Sequence, residues 1–243
     1  MNTLFLLCGL LCDEEVWAGQ AAELGQRHDV RVVSFRGFDS IGAMAAHVLD
    51  SAPARFSLAG HSMGGRVALE VYRRAPQRVD RLALLDTGYE PVAPGEAERR
   101  AVLVNKALAK GIMAIAETWA RPMIAPCNQP VVLDPVVAMV GRMSGEIYAG
   151  QTRALLNRPD ATAVLAAIDC PTLVVCGAQD AWSPADRHER MRALIPDAEL
   201  KVIDDCGHMS TMERPAEVLA ALQQWLESEE QVVATTQQKE RRQ

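Results

Sequence analysis

Gly60-His61-Ser62-Met63-Gly64 stands between an apolar run, Phe56-Ser57-Leu58-Ala59, and a stretch of helical character, Arg66-Val67-Ala68-Leu69-Glu70-Val71-Tyr72. A serine framed by glycines two residues to either side, where a strand passes into a helix, restricts the fold more than any other feature of the chain. The glycines let strand and helix approach without a Cβ in the way. The serine is left on a tight turn with its hydroxyl lifted clear of the sheet, at a backbone strain of roughly 1–3 kcal/mol.

The rest of the chain supplies the sheet that this turn needs. Apolar, β-branched runs recur at Thr3–Leu7, Val30–Ser34, Phe56–Ala59, Leu82–Leu85, Thr172–Cys176 and Leu200–Ile203. Their near-continuous hydrophobicity suits parallel strands covered on both faces. Helical patterns lie between them at Glu15–Leu24, Ile41–Leu49 (behind Ser40 as N-cap), Gly65–Arg74, Ala185–Leu194 and Ala216–Glu227. Such alternation predicts an α/β fold with a doubly wound, mostly parallel sheet. From Glu90 to about Ala167 the pattern is helical without strands, interrupted by Pro122, Pro126, Pro130 and Pro135. This predicts a core of residues 1–89 and 168–230 carrying a helical cap at 90–167 over the sheet's C-terminal edge, where open α/β sheets place ligands. The polar end, 231–243, is expected to fray.

Bulk properties exclude some partners. A formal net charge of −6 argues against nucleic acid or an anionic membrane, both of which reward clustered Lys and Arg. The apolar stretch Leu4 to Leu11 is too short to span a bilayer and has no basic lead-in. The six cysteines form no C-x-x-C pair and are expected to be reduced and mostly buried. A cytoplasmic protein without metal or cofactor, monomeric or homodimeric, is the expectation, since no phosphate-cradling loop follows a strand.

A serine hydroxyl needs a base within hydrogen-bond reach and an acid to orient that base. Of the five histidines, His61 adjoins the serine and should point off the line of attack. His28 precedes a strand, and His47 and His188 fall in helical stretches. His208 lies in Asp205-Cys206-Gly207-His208-Met209, a loop between the last strand and the last helix, and is the expected base. Asp180, beyond the strand Thr172–Cys176, is the expected acid, with Asp86 at the end of the preceding strand as the alternative. The chain order Ser62, Asp180, His208 is that of a sheet-based hydrolase. Backbone N–H groups of Met63 and Leu10 are expected to receive an oxyanion.

These residues carry a resemblance. Leu6-Leu7-Cys8-Gly9-Leu10, Arg36-Gly37, Gly60 to Gly65, Pro171 to Gly177 with Asp180, Gly207-His208 and Glu213-Arg214-Pro215 run in the order of the α/β-hydrolase fold superfamily. The chain resembles its small esterase/lipase type, including pimeloyl-carrier-protein methyl ester carboxylesterases and enol-lactonases. The resemblance implies an eight-stranded sheet, here without its leading antiparallel strands, and a Ser-His-Asp triad. Cys8 stands where many relatives carry histidine, which leaves the backbone donor intact. The expected activity is hydrolysis of a small to medium carboxylic ester through an acyl-enzyme. Lactonase, thioesterase, carbon–carbon hydrolase or lyase chemistry on the same triad, or ligand binding without turnover, are the alternatives. Trp119, Met123, Ile124, Met139, Met143 and Tyr148 are expected to offer apolar surface to the substrate. No basic cluster in the cap announces a charged substrate, and Arg121, Arg142 and Arg153 read as exposed helix arginines.

Overall fold

The computed structural model describes residues 2–227; the polar segment 231–243 lies outside the described residues. Six strands form one parallel sheet in the order β2-β1-β3-β4-β5-β6: β1 Thr3–Leu7, β2 Asp29–Val33, β3 Phe56–His61, β4 Val79–Leu85, β5 Thr172–Gly177 and β6 Glu199–Ile203. No antiparallel strand precedes β1 among the described residues. β1, β3 and β5 are buried along their whole length, whereas the edge strands β2 and β6 are largely half-buried or exposed. Edge position explains why these two runs bury less than their apolar composition suggests.

The helices are α1 Ala18–Leu24, α2 Ile41–Ser51, α3 Met63–Arg74, α4 Glu96–Lys110, α5 Ala116–Ala120, α6 Gln129–Gly141, α7 Gly145–Leu156, α8 Thr162–Leu165, α9 Ala185–Leu194, α10 Ser210–Glu213 and α11 Pro215–Glu227. The stretch read as one helix from Glu15 begins instead as a 3₁₀ turn, Glu14–Trp17, because the Asp13 carboxylate caps the Glu15 N–H at 3.1 Å. Ser40 caps α2 through its hydroxyl. Pro135 lies inside α6 rather than ending it; Val131, four residues earlier and 76% exposed, can turn the carbonyl that loses its partner to water.

The sheet order reverses between β1 and β3. The chain runs from β1 outward to β2, then crosses back over β1 to β3 and proceeds steadily to β6. Right-handed crossovers then put α1 on one face and α2, α3 and α9 on the other; α11 packs with α1, and α2 with α3. The crevice outside the carboxyl ends of β1 and β3 is the ligand position of such a sheet. The loop Cys8 to Cys12 and the turn at Ser62 both open there. Helices α4 to α7 form the insertion between β4 and β5.

Candidate active site

The Ser62 turn is held in a conformation that side chains rarely adopt, φ 55° and ψ −116°. A Cβ at Gly60 would strike the carbonyl of Gly64, and one at Gly64 would strike that of Leu7. The two glycines therefore set how closely α3 can start against β1 and β3. The Ser62 N–H donates to Leu85 O at 2.9 Å, and the Thr87 hydroxyl donates to Ser62 O at 2.6 Å. Positive φ recurs at Leu11 (57°), Asp86 (48°) and Asp205 (49°). Strain of this kind persists only where surroundings over-determine it; apart from Asp197 in the turn before β6, the residues that show it follow the strands β1, β3, β4 and β6.

His208 Nε2 lies 2.8 Å from Ser62 Oγ, and its Nδ1 lies 2.8 Å from Asp180 Oδ2. The other Asp180 oxygen accepts from the N–H groups of Trp182 and Ser183, both at 2.8 Å. Burial alone would raise the Asp180 pKa, but the His208 charge and these hydrogen bonds outweigh it and hold the carboxyl below its ordinary value. Burial likewise opposes a charged His208, and Asp180 overcomes it, raising the imidazole above the ordinary histidine value. Asp86 behaves oppositely. It is fully buried, accepts from Gly177 N–H at 3.1 Å and from the Ser210 hydroxyl, and is pushed well above the usual carboxylate range by burial and by neighbouring Asp180. Two aspartates on adjacent strand ends are thus driven apart in protonation. The one facing His208 Nδ1 is Asp180.

Two residues that the sequence reading left without a role hold the His208 loop. His61 Nε2 lies 2.8 Å from the His208 carbonyl oxygen, and burial lowers the His61 pKa to about 4, so the ring is a neutral donor to that carbonyl. Glu213 accepts from the N–H groups of Ala125, Gly207 and Met209 at 2.9–3.1 Å and from the Asn128 amide at 2.8 Å. The His208 N–H donates to Met123 O at 2.7 Å. The loop is therefore pinned to both the sheet and the insertion. A glutamate four residues past Met209 and two before Pro215 was the available signal.

Leu10 and Met63 border the same cavity as Ser62 and His208. Met63 is the first residue of α3, where an N–H has no acceptor within the helix. The next residue of the first loop, Leu11, is fixed by Gln151 of α7. Gln151 is fully buried, accepts from Leu11 N–H at 2.8 Å and donates to Phe35 O at 3.0 Å. It stands three residues after Tyr148 and four before Leu155, a polar side chain within a buried helical stripe. That was its only sequence signal.

The cavity measures about 590 Å³. Trp119, Met123 and Tyr148 line it; Met139 and Met143 do not, but pack in the hydrophobic core with Ile124. The absence of a basic cluster does not hold. Arg66, Arg99, Arg100, Arg158 and Arg187 all border the cavity, brought together from α3, α4, α9 and the loop after α7. The three arginines singled out in the sequence lie elsewhere: Arg121 pairs with Glu117, Arg142 with Asp13 and Arg153 with Asp39. Among the described residues no group of three or more His, Cys, Asp or Glu side chains is arranged to hold a metal ion, and no helix is long and apolar enough to cross a membrane.

Residues 4–222 match the model of the alpha/beta hydrolase family. The chain belongs to that family. It is 25% identical over 239 residues to the pimeloyl-[acyl-carrier protein] methyl ester esterase of Nitrosomonas europaea, covering 89% of this chain and 92% of that protein. To the dihydrolipoyllysine-residue acetyltransferase component of the acetoin cleaving system of Pseudomonas putida it is 33% identical over 82% of its own length, but spans only 51% of that longer protein. Among solved structures, a thermophilic esterase from Thermogutta terrifontis, with malate bound, superposes with a TM-score of 0.84 at 30% identity over 94% of this chain and 90% of that one. This alpha/beta hydrolase thus keeps the parallel core, and its Ser62 cavity opens at the switch between β1 and β3.

Proposed function

We propose that the protein is a serine esterase acting on carboxylic esters of small to medium size. The observation that carries this reading is the line Ser62–His208–Asp180, with both imidazole nitrogens 2.8 Å from their partners. In this scheme Ser62 Oγ attacks the carbonyl carbon while His208 Nε2 takes its proton. The oxyanion is received by the N–H groups of Leu10 and Met63. Collapse breaks the bond to the alcohol oxygen, to which His208 returns the proton. Water, deprotonated by His208, then attacks the acyl-enzyme and frees the acid and Ser62. Asp180 remains ionised throughout and holds the imidazole in the tautomer that presents Nε2 to the serine. The 90–167 segment serves as a cap whose apolar wall, Trp119, Met123 and Tyr148, receives the carbon chain.

Similarity to two esterases supports the ester reading; lyase or carbon–carbon chemistry on the same triad is the second reading, favoured by relatives of comparable identity. A panel of p-nitrophenyl and methyl esters tests it. Short and medium acyl chains are expected to turn over, and Ser62→Ala to lower kcat by at least about 10⁴-fold. Turnover of no ester or lactone by the wild type, with Ser62 chemically inert, would overturn it.

A further inference from the structure

The cavity beside Ser62 has two unlike ends. One is apolar; the other carries five guanidinium groups, from Arg66, Arg99, Arg100, Arg158 and Arg187, against the carboxylates of Glu90, Glu96 and the deeply buried Asp86. Arg158 binds Glu96 through both its terminal nitrogens at 2.7 and 2.8 Å, Arg100 shares that carboxylate at 2.9 Å, and Arg187 pairs with Glu90 at 3.1 Å. These arginines have partners. Arg99 is exposed and donates only to Pro94 O at 3.3 Å. Arg66 is half-buried: Nη1 donates to Glu90 O at 2.9 Å, the Glu90 and Glu96 carboxylates favour its charge from farther off, and among the described residues no other donor of its guanidinium is hydrogen-bonded or ion-paired. A Cβ at Gly88 would lie 2.7 Å from its Nη2, so the 86–90 loop is shaped around it. Burial, reinforced by Arg158 and Arg187, pulls its pKa to about 9, which still leaves it cationic at neutral pH. A half-buried guanidinium with five donors and one acceptor is short of an anion.

We propose that Arg66 is the anion subsite of this enzyme, and that its preferred ester carries a second, ionised carboxylate. The proposal rests on the esterase reading for which bond is cut, but not for what is bound. Arg66 lies in the first turn of α3, four residues after Ser62, and both side chains border the same cavity. In a cavity of about 590 Å³ that holds both groups, the half-ester of a short dicarboxylic acid places its carbonyl at Ser62 and its free carboxylate on Arg66. Arg158 and Arg187 are neutralised by Glu96 and Glu90, but the five guanidinium groups outnumber those two carboxylates, which leaves this end of the cavity net positive.

The test compares monomethyl adipate with methyl hexanoate, esters of equal acyl length that differ in the terminal charge. Wild-type kcat/KM is expected to favour monomethyl adipate at least tenfold, through KM. Arg66→Met is expected to reduce that ratio at least tenfold and Arg66→Lys to restore part of it. Equal kcat/KM for the two esters, or an unchanged ratio in Arg66→Met, would overturn the proposal. Binding of adipate to Ser62→Ala by titration calorimetry separates this from the esterase reading, since it needs no turnover. Adipate binding that is lost in Ser62→Ala/Arg66→Met supports the subsite even if neither ester is cleaved. No binding, or binding indifferent to Arg66, counts against the subsite even if esters are hydrolysed.

Discussion

The C-terminal edge of the sheet and the helical insertion face each other across one cavity, yet they hold their residues in different ways. At the sheet edge each chemical group follows a strand, Ser62 and Asp180 the buried β3 and β5 and His208 the edge strand β6, and is fixed largely by main-chain groups: Ser62 by Leu85 and the Thr87 hydroxyl, Asp180 by Trp182 and Ser183, His208 by Met123. In the insertion, cavity residues are held by side-chain packing and by ion pairs such as Arg158–Glu96. On the proposed mechanism the sheet edge carries the reacting groups and the start of α3, while the insertion supplies the apolar wall that meets the carbon chain. Variants on the two sides should therefore divide between kcat and KM.

The largest expected effect after loss of Ser62 itself is at the sheet edge. Asp180→Asn should lower kcat by about 10²–10⁴-fold, because the imidazole loses its orienting acceptor. The wild-type acid limb of kcat/KM reports the His208 pKa, since only neutral imidazole takes the Ser62 proton. Asp180 holds that pKa above the ordinary value, so activity rises with pH through a limb displaced upward. In Asp180→Asn the largest influence opposing burial is lost, leaving Asp86 and Glu213 alone to favour the charged ring, and the limb should move to lower pH. Asp86→Asn should cost less than about tenfold in kcat. A pH–rate series on both variants checks this; the reverse ranking would make Asp86 the acid.

Between the two regions stands Glu213, which ties the His208 loop to the insertion through four N–H donors. Glu213→Ala leaves those donors buried without an acceptor and should destabilise by about 3 kcal/mol or more. That is a fall in melting temperature of about 6–12 °C for a chain of this size, measurable by calorimetry. A variant that melts as the wild type does would show that sheet and insertion are not coupled through this carboxylate.

Gln151 sharpens the comparison because it sits in the insertion but holds Leu11, next to the proposed oxyanion donor Leu10. Gln151→Met keeps the volume and removes the Leu11 contact. It should lower kcat about tenfold with KM nearly unchanged, less than the ~10²–10³-fold loss from deleting an oxyanion donor outright. A change confined to KM would place Gln151 with substrate binding instead. The smallest effect is expected at the apolar wall, where Trp119→Ala should alter kcat/KM for short esters less than about fivefold and shift preference towards longer acyl chains, read from a chain-length series.

Legibility from sequence followed the same division. The strands and the positions of Ser62, Asp180 and His208 could be read because each is defined locally, by an apolar run and the loop that follows it. The order of those loops then fixes which of them meet. His61, beside the serine, was expected only to point away; its role as a brace depends on where the His208 carbonyl comes to rest. The cavity arginines were not legible. Arg99, Arg100, Arg158 and Arg187 are unremarkable helix or loop residues in sequence, and only the packing of the insertion on the sheet brings them to Arg66. Met139 and Met143 could not be told from Met123 for the same reason, since helical periodicity does not say which apolar face meets the core and which the cavity.

The account depends on Ser62 being an activated nucleophile served by His208. Intact-mass analysis after exposure to a fluorophosphonate measures that directly. One adduct per chain, mapped to Ser62, absent in Ser62→Ala and slowed at least about 100-fold in His208→Ala, is the predicted result. A wild-type protein left unlabelled, or labelled as fast without His208 as with it, would contradict the account.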